Sequence, residues 1–140
     1  MTREQIEGMF ERRRAAYERQ DAAALVADYA ADCVVESPSG GTHQGQAAVE
    51  QVLRVVFDAL NVHVHQQSVI IDGDAVAQVV RIEGQDVGQF LGLAPTRKSF
   101  RVLGVFLYDL QDGRIVRERR IYDFTGVLIQ IGLLKAKPAD

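Results

Sequence analysis

The feature that most constrains this chain is a change in hydrophobic period near residue 61. Before it, apolar residues recur every three to four positions; after it, they alternate. Val62–Ile71 and Ala75–Gln85 are joined by Asp72-Gly73-Asp74, and Ser99–Leu110 and Arg114–Asp123 by Gln111-Asp112-Gly113. Asp-Gly steps between alternating runs are hairpin signals, because glycine takes the positive φ that tight turns need. The second half is therefore expected to be an antiparallel meander. Such a sheet has one apolar face, and that face needs a cover.

The first half supplies the cover. Residues 2–19 read as an amphipathic helix, with Ile6, Met9, Phe10, Ala16 and Tyr17 near one side and Arg12, Arg13 and Arg14 largely elsewhere. Asp21 is placed to cap a second helix whose buried stripe is Leu25, Val26 and Tyr29. Cys33–Ser37 reads as a short strand stopped by Pro38 and Gly40-Gly41. A third helix follows Gly45, with Val49, Val52, Leu53, Val56, Phe57 and Leu60 at helical spacing, and Thr125–Leu134 returns to that spacing at the end. Helices segregated from antiparallel strands define an α+β fold. The expected architecture is a curved, mixed but mostly antiparallel sheet, roofed by three N-terminal helices and closed by a short C-terminal helix. It encloses a conical pocket in a single domain over residues 1–140.

Composition narrows the partners. A net charge of −3 and a pI near 5.6 argue against nucleic acid, whose binders need a basic surface. No apolar run approaches membrane-spanning length, and Met1–Gln5 lacks the basic-then-apolar pattern of a signal peptide. The single cysteine, Cys33, excludes an internal disulfide and fits a reducing cytoplasm. The expectation is a cytoplasmic domain with neither nucleic acid nor membrane as partner.

Asp123 is the leading candidate for chemistry. Counting back by twos gives Ile121, Arg119, Arg117 and Ile115, so all five share one face of the strand. A carboxylate in an apolar pocket is pushed up in pKa, and one beside an arginine is pulled down. Balanced near the working pH, it could take a carbon-bound proton next to a carbonyl and return it to oxygen. The alternative is a strand-end carboxylate in a salt bridge with Arg119 or Arg101. Asp86 shares a face with Val80 and Ile82, and is either a second pocket carboxylate or a turn residue capping nearby N–H groups. Arg119 is a candidate for holding an enolate or a substrate carboxylate, or an exposed strand arginine. Tyr17, Arg101 and Phe57 are candidate substrate contacts, although Tyr17 reads first as a core tyrosine with its tip at water. His63 and His65 have possible metal spacing but lack a third ligand, so no metal is expected. No organic cofactor is required by this chemistry.

Four stretches carry a family resemblance: Gly41–Val49 leading into the third helix, Gly84–Lys98 with its Pro95-Thr96 turn, Asp112–Asp123, and Gln130–Leu134. In order and spacing they resemble the SnoaL-like polyketide cyclase and ester cyclase branch of the NTF2-like superfamily. The resemblance implies the cone-shaped fold, an apolar oxygenated small molecule as substrate, and a homodimer formed through the outer sheet face. It also implies that Asp123, at the end of the last strand, is the general acid/base of a cyclisation or isomerisation; on their own chemistry, Asp86 and Arg119 are the candidates to assist it. Epoxide or ester hydrolysis is the second activity. The chain departs from the branch at Gln85-Asp86, where a histidine is usual, and at Glu118-Arg119, where His-Trp is common. Altered pocket chemistry is what a non-catalytic ligand-binding or protein-interaction module would show.

Overall fold

The structure, a computed structural model, describes residues 1–135; positions 136–140 of the expected domain lie outside the described residues. Helix α1 (Arg3–Glu18) and the short α2 (Ala22–Val26) precede strands β1 (Tyr29–Ser37) and β2 (Gly41–Gln44). Helix α3 (Gln46–Leu60) leads into β3 (His63–Asp72), β4 (Ala75–Gln85), β5 (Ser99–Gln111), β6 (Arg114–Tyr122) and helix α4 (Phe124–Gln130). The sheet order is β2-β1-β6-β5-β4-β3. All neighbours are antiparallel except β1 and β6, which pair in parallel. The mixed, mostly antiparallel α+β sheet expected from the alternating half is therefore present, extended by a β1–β2 hairpin at one edge.

Local chemistry explains most boundaries. Thr2 and Gln5 form a reciprocal capping box that starts α1. Asp21 caps α2 by accepting from Ala24 N–H. Helix α3 stops where Asn61 turns left-handed, with φ of 45°. The helices then lay their apolar stripes on the concave face: α1 packs against β3 and α2, α3 against α2 and β1, and α4 against β5. Leu25, Tyr29, Leu53, Val80, Ile115 and Ile131 form the fully buried middle of one continuous core. The convex face, where a dimer contact is expected, exposes Ile70, Leu103 and Ile121. No helix of the described residues is long and apolar enough to cross a membrane.

Three expectations need correction. Tyr29 begins β1 instead of ending the second helix, because α2 stops at Val26. Gly41–Gln44 is a strand paired with Val34–Ser37, not merely a lead-in to α3. Arg13 does not lie off the apolar side of α1: it is 1% exposed, in line with Met9, Phe10, Ala16 and Tyr17.

Candidate functional site

The decisive local feature is a β-bulge in the last strand. Across the β5–β6 ladder Asp109 opposes Arg117 and Leu110 opposes Ile115, so Val116 is the extra residue. One inserted residue reverses the side of everything after it. Ile115 points inward, and beyond the bulge the inward residues are Glu118, Arg120 and Tyr122, while Arg117, Arg119 and Ile121 turn outward. The face inferred by counting back from Asp123 is therefore the wrong one past Val116. Glu118 and Arg120, neither of them expected at the site, take the interior positions.

Inside the cone, α1, α3, the strands and α4 surround a cavity of about 60 Å³. Most of its wall is apolar, from Val52, Val56, Phe57, Leu60, Ile82, Phe100 and Phe106. Phe90, on the connection after β4, stands edge-on to Phe124, which stands edge-on to Tyr122. Tyr17 and Phe57 both line the cavity, edge to face with ring centres 6.3 Å apart. The polar groups in the wall are Tyr17, Ser37, Ser39, Arg120 and Tyr122. Tyr122 fits there because it sits opposite Gly104, where a Cβ would lie 3.2 Å from its own.

Behind Arg120 lies a buried ionic network. Glu118, with 0% exposure, accepts from Arg120 Nε through one carboxylate oxygen and from the Tyr29 hydroxyl through the other. Arg13 Nη2 donates to the same Tyr29 oxygen at 3.1 Å and lies 3.9 Å from Glu118, while its Nη1 donates to Leu25 C=O at 2.8 Å. The Arg13 guanidinium also lies over the Tyr29 ring at 5.0 Å and the Tyr108 ring at 5.7 Å. Tyr108 in turn donates to Gln78 at 3.1 Å. Charges this deep persist only when paired and hydrogen-bonded. Burial raises the pKa of the Tyr17, Tyr29 and Tyr108 hydroxyls, so each stays neutral. Arg120 Nη2 is buried in the cavity wall without a partner. A buried guanidinium N–H without a partner, on a residue that lines an apolar cavity, is an unspent donor.

The structure places the sequence candidates in three settings. Tyr17 and Phe57 line the cavity. Asp123, exposed, is the N-cap of α4, its Oδ1 accepting from Gly126 N–H at 2.8 Å, and its side chain is not part of the cavity wall. Arg119 and Arg101 lie on the outer face: Arg119 is 3.5 Å from Glu36, and Arg101 is 2.9 Å from Glu83. Neither pairs with Asp123. Asp86 is 1% exposed but ties down the β4–β5 connection, with Oδ2 accepting from Thr96 N–H at 3.0 Å and its backbone bonded to Arg97 and Lys98. The cavity wall therefore holds neither member of the anticipated Asp86–Asp123 pair. His65 sits beside Glu83 at 3.2 Å. Among the described residues, no three His, Cys, Asp or Glu side chains gather as metal ligands would. Of the missed residues, Arg13 had a signal: it completes the spacing 6, 9, 10, 13, 16, 17.

An open cone of curved sheet and helices around an apolar cavity defines the NTF2-like, ketosteroid isomerase-like class. The sequence matches the model of the SnoaL-like polyketide cyclase family over residues 8–131, and the chain belongs to that family. A search of curated protein sequences found no match. Among solved structures, the fold is similar to that of a proposed polyketide cyclase from Xanthomonas campestris (22% identity, 92% of this chain and 98% of that one, TM-score 0.84). It is also similar to IdmH, a proposed polyketide cyclase from Streptomyces antibioticus (22% identity, 90% and 97%, TM-score 0.75). A third similar structure is a Catenulispora acidiphila protein of ketosteroid isomerase-like fold in complex with trimethylamine (24% identity, 93% and 97%, TM-score 0.77). Membership suggests a cyclase- or isomerase-type enzyme that works without a cofactor.

Proposed function

We propose that this protein is a cofactor-independent cyclase or isomerase acting on a small apolar ketone seated in the cavity. The observation that carries the reading is Arg120, a buried guanidinium in an apolar wall with Nη2 unpartnered. A donor preset in a water-poor site favours the negative charge that grows on a carbonyl oxygen as its α-proton leaves. Glu118, held by Tyr29, fixes the direction of Arg120 by gripping its Nε. Proton removal is assigned to Asp123, on the strength of family position alone. For that, its carboxylate must release Gly126 N–H and turn inward past Tyr122 and Phe124.

The test is a turnover screen of polyketide-like ketones with wild type, Arg120→Lys and Asp123→Asn. Arg120→Lys keeps the charge and loses the planar donor, and kcat/KM is expected to fall by about 10²-fold or more. Asp123→Asn keeps a helix cap and loses the base. Turnover that ignores both substitutions removes the proposed mechanism.

A second reading has its own support: among the described residues, no carboxylate or imidazole lines the cavity. A ligand-binding module needs none. Apolar ligand binding that survives Asp123→Asn, without turnover of any ligand, favours that reading.

A further inference from the structure

The cavity is small for the molecule it is proposed to hold. Its volume of about 60 Å³ compares with roughly 300–1,000 Å³ for ordinary small-molecule sites. A surface groove of about 480 Å³ lies between the β1–β2 turn and the end of β6. Cavity and groove share three wall residues, Ser37, Arg120 and Tyr122. Along that wall runs a chain of hydroxyls: Tyr122 donates to Ser39 Oγ at 3.0 Å, and Ser39 Oγ is 3.1 Å from Ser37 Oγ. Each of these contacts is a neutral hydrogen bond, weak enough in net terms to open thermally.

The groove has a charge preference. Arg117 at 2.7 Å and Arg119 at 3.5 Å both reach the single carboxylate of Glu36. Two cations share one anion, and both Arg119 and Glu36 line the groove, with Arg117 behind them. Arg120, whose Nη2 is buried without a partner, lines both spaces.

We infer that the groove is the outer half of the ligand site and that the ligand is an apolar keto acid. Its apolar body occupies the cavity, its ketone meets Arg120, and its carboxylate pairs with Arg119 in the groove. The hydroxyl chain of Tyr122, Ser39 and Ser37 is the latch that opens to join the two halves. This deepens the reading of the cavity given above and rests on it. It gives Arg119 a ligand to hold on the face to which the bulge has turned it.

Calorimetry with two probes tests the inference: the keto acid benzoylpropionate and its neutral counterpart butyrophenone. Wild type is expected to bind the acid about tenfold more tightly than the ketone, as one charge-assisted contact provides. That advantage should largely vanish in Arg119→Gln and shrink at high salt, with butyrophenone unaffected by either. Arg119 is exposed, so its replacement leaves the fold intact. Stopped-flow mixing of benzoylpropionate with Tyr122→Phe reads the latch, and faster association than wild type is the expected result. Equal affinity for the two probes, no binding of either, or an acid preference that survives Arg119→Gln overturns the inference. Butyrophenone binding that depends on Arg120, with no preference for the acid, removes the groove and leaves the cavity reading standing.

Discussion

Tyr29 and Glu118, 89 residues apart in the chain, are hydrogen-bonded to each other in the fully buried end of the cone. The bond joins the first strand to the last and sets the Glu118 carboxylate between two arginines. Glu118→Ala would leave Arg13 and Arg120 buried without their shared anion. The expected loss is about 3–5 kcal/mol in urea unfolding, the usual cost of stranding a buried charge. Tyr29→Phe removes two hydrogen bonds, the one donated to Glu118 and the one accepted from Arg13, and should cost about 1–3 kcal/mol. A Glu118→Ala protein as stable as wild type would show that the network does not hold the cone together.

All four tyrosines should resist alkali. Burial raises the pKa of Tyr17, Tyr29, Tyr108 and Tyr122; for Tyr122 the hydrogen bond to Ser39 partly offsets it. In the unfolded chain each ionises near pH 10. Above that pH the unfolded state has released protons that the folded state retains, so stability falls as pH rises. Below it the contribution is fully present. Ultraviolet titration should show tyrosinate appearing together with loss of helical circular dichroism. Tyrosinate forming near pH 10 in a protein that is still folded would contradict this.

Asp123 carries a measurable helix-capping role whatever its part in chemistry. Asp123→Ala should lower stability by about 1 kcal/mol, whereas Asp123→Asn, an equally good cap, should change it little. Thermal melts of the two variants separate capping from acid/base action before any substrate is known. Equal losses in both would mean that the hydrogen bond to Gly126 N–H is not what the side chain contributes.

Gly84 leaves no room for a methyl group. A Cβ there would stand 2.4 Å from the Leu60 carbonyl oxygen and 2.6 Å from the Phe100 ring. The Leu60 backbone has little freedom to retreat, and Phe100 lines the cavity. Gly84→Ala should therefore destabilise by about 1–3 kcal/mol and displace the Phe100 ring, visible as shifted aromatic resonances by NMR. An unchanged melting temperature would refute the close approach.

The parts legible in the sequence were those written in local chemistry. The Asp72-Gly73-Asp74 and Asp112-Gly113 turns marked both hairpins, and Ala75–Gln85 appears within its expected limits. The stripe of α3 named Phe57 as a residue facing inward, and Tyr17 was legible in the same way from α1. What failed was phase across a distance. A bulge at Val116 has no side-chain signature; the ladder with β5 reveals it, and its effect is to exchange Arg119 for Arg120 at the cavity. Asp86 illustrates a different limit. Its apolar neighbours correctly suggested burial, yet burial served a backbone turn at Thr96. The short β2 escaped notice because Gly41–Gln44 offers neither alternation nor length.

The parallel pairing of β1 with β6 has a consequence for how the protein is made. A ribosome delivers Arg13, Tyr29 and the cavity residues of α3 long before Glu118 and Arg120 emerge. Until then, the β1–β2 hairpin is not joined to the β5–β4–β3 meander, and the Arg13 guanidinium has no Glu118 to approach. The cavity is thus a late event in biosynthesis, appearing in one step when the last strand slots between β1 and β5.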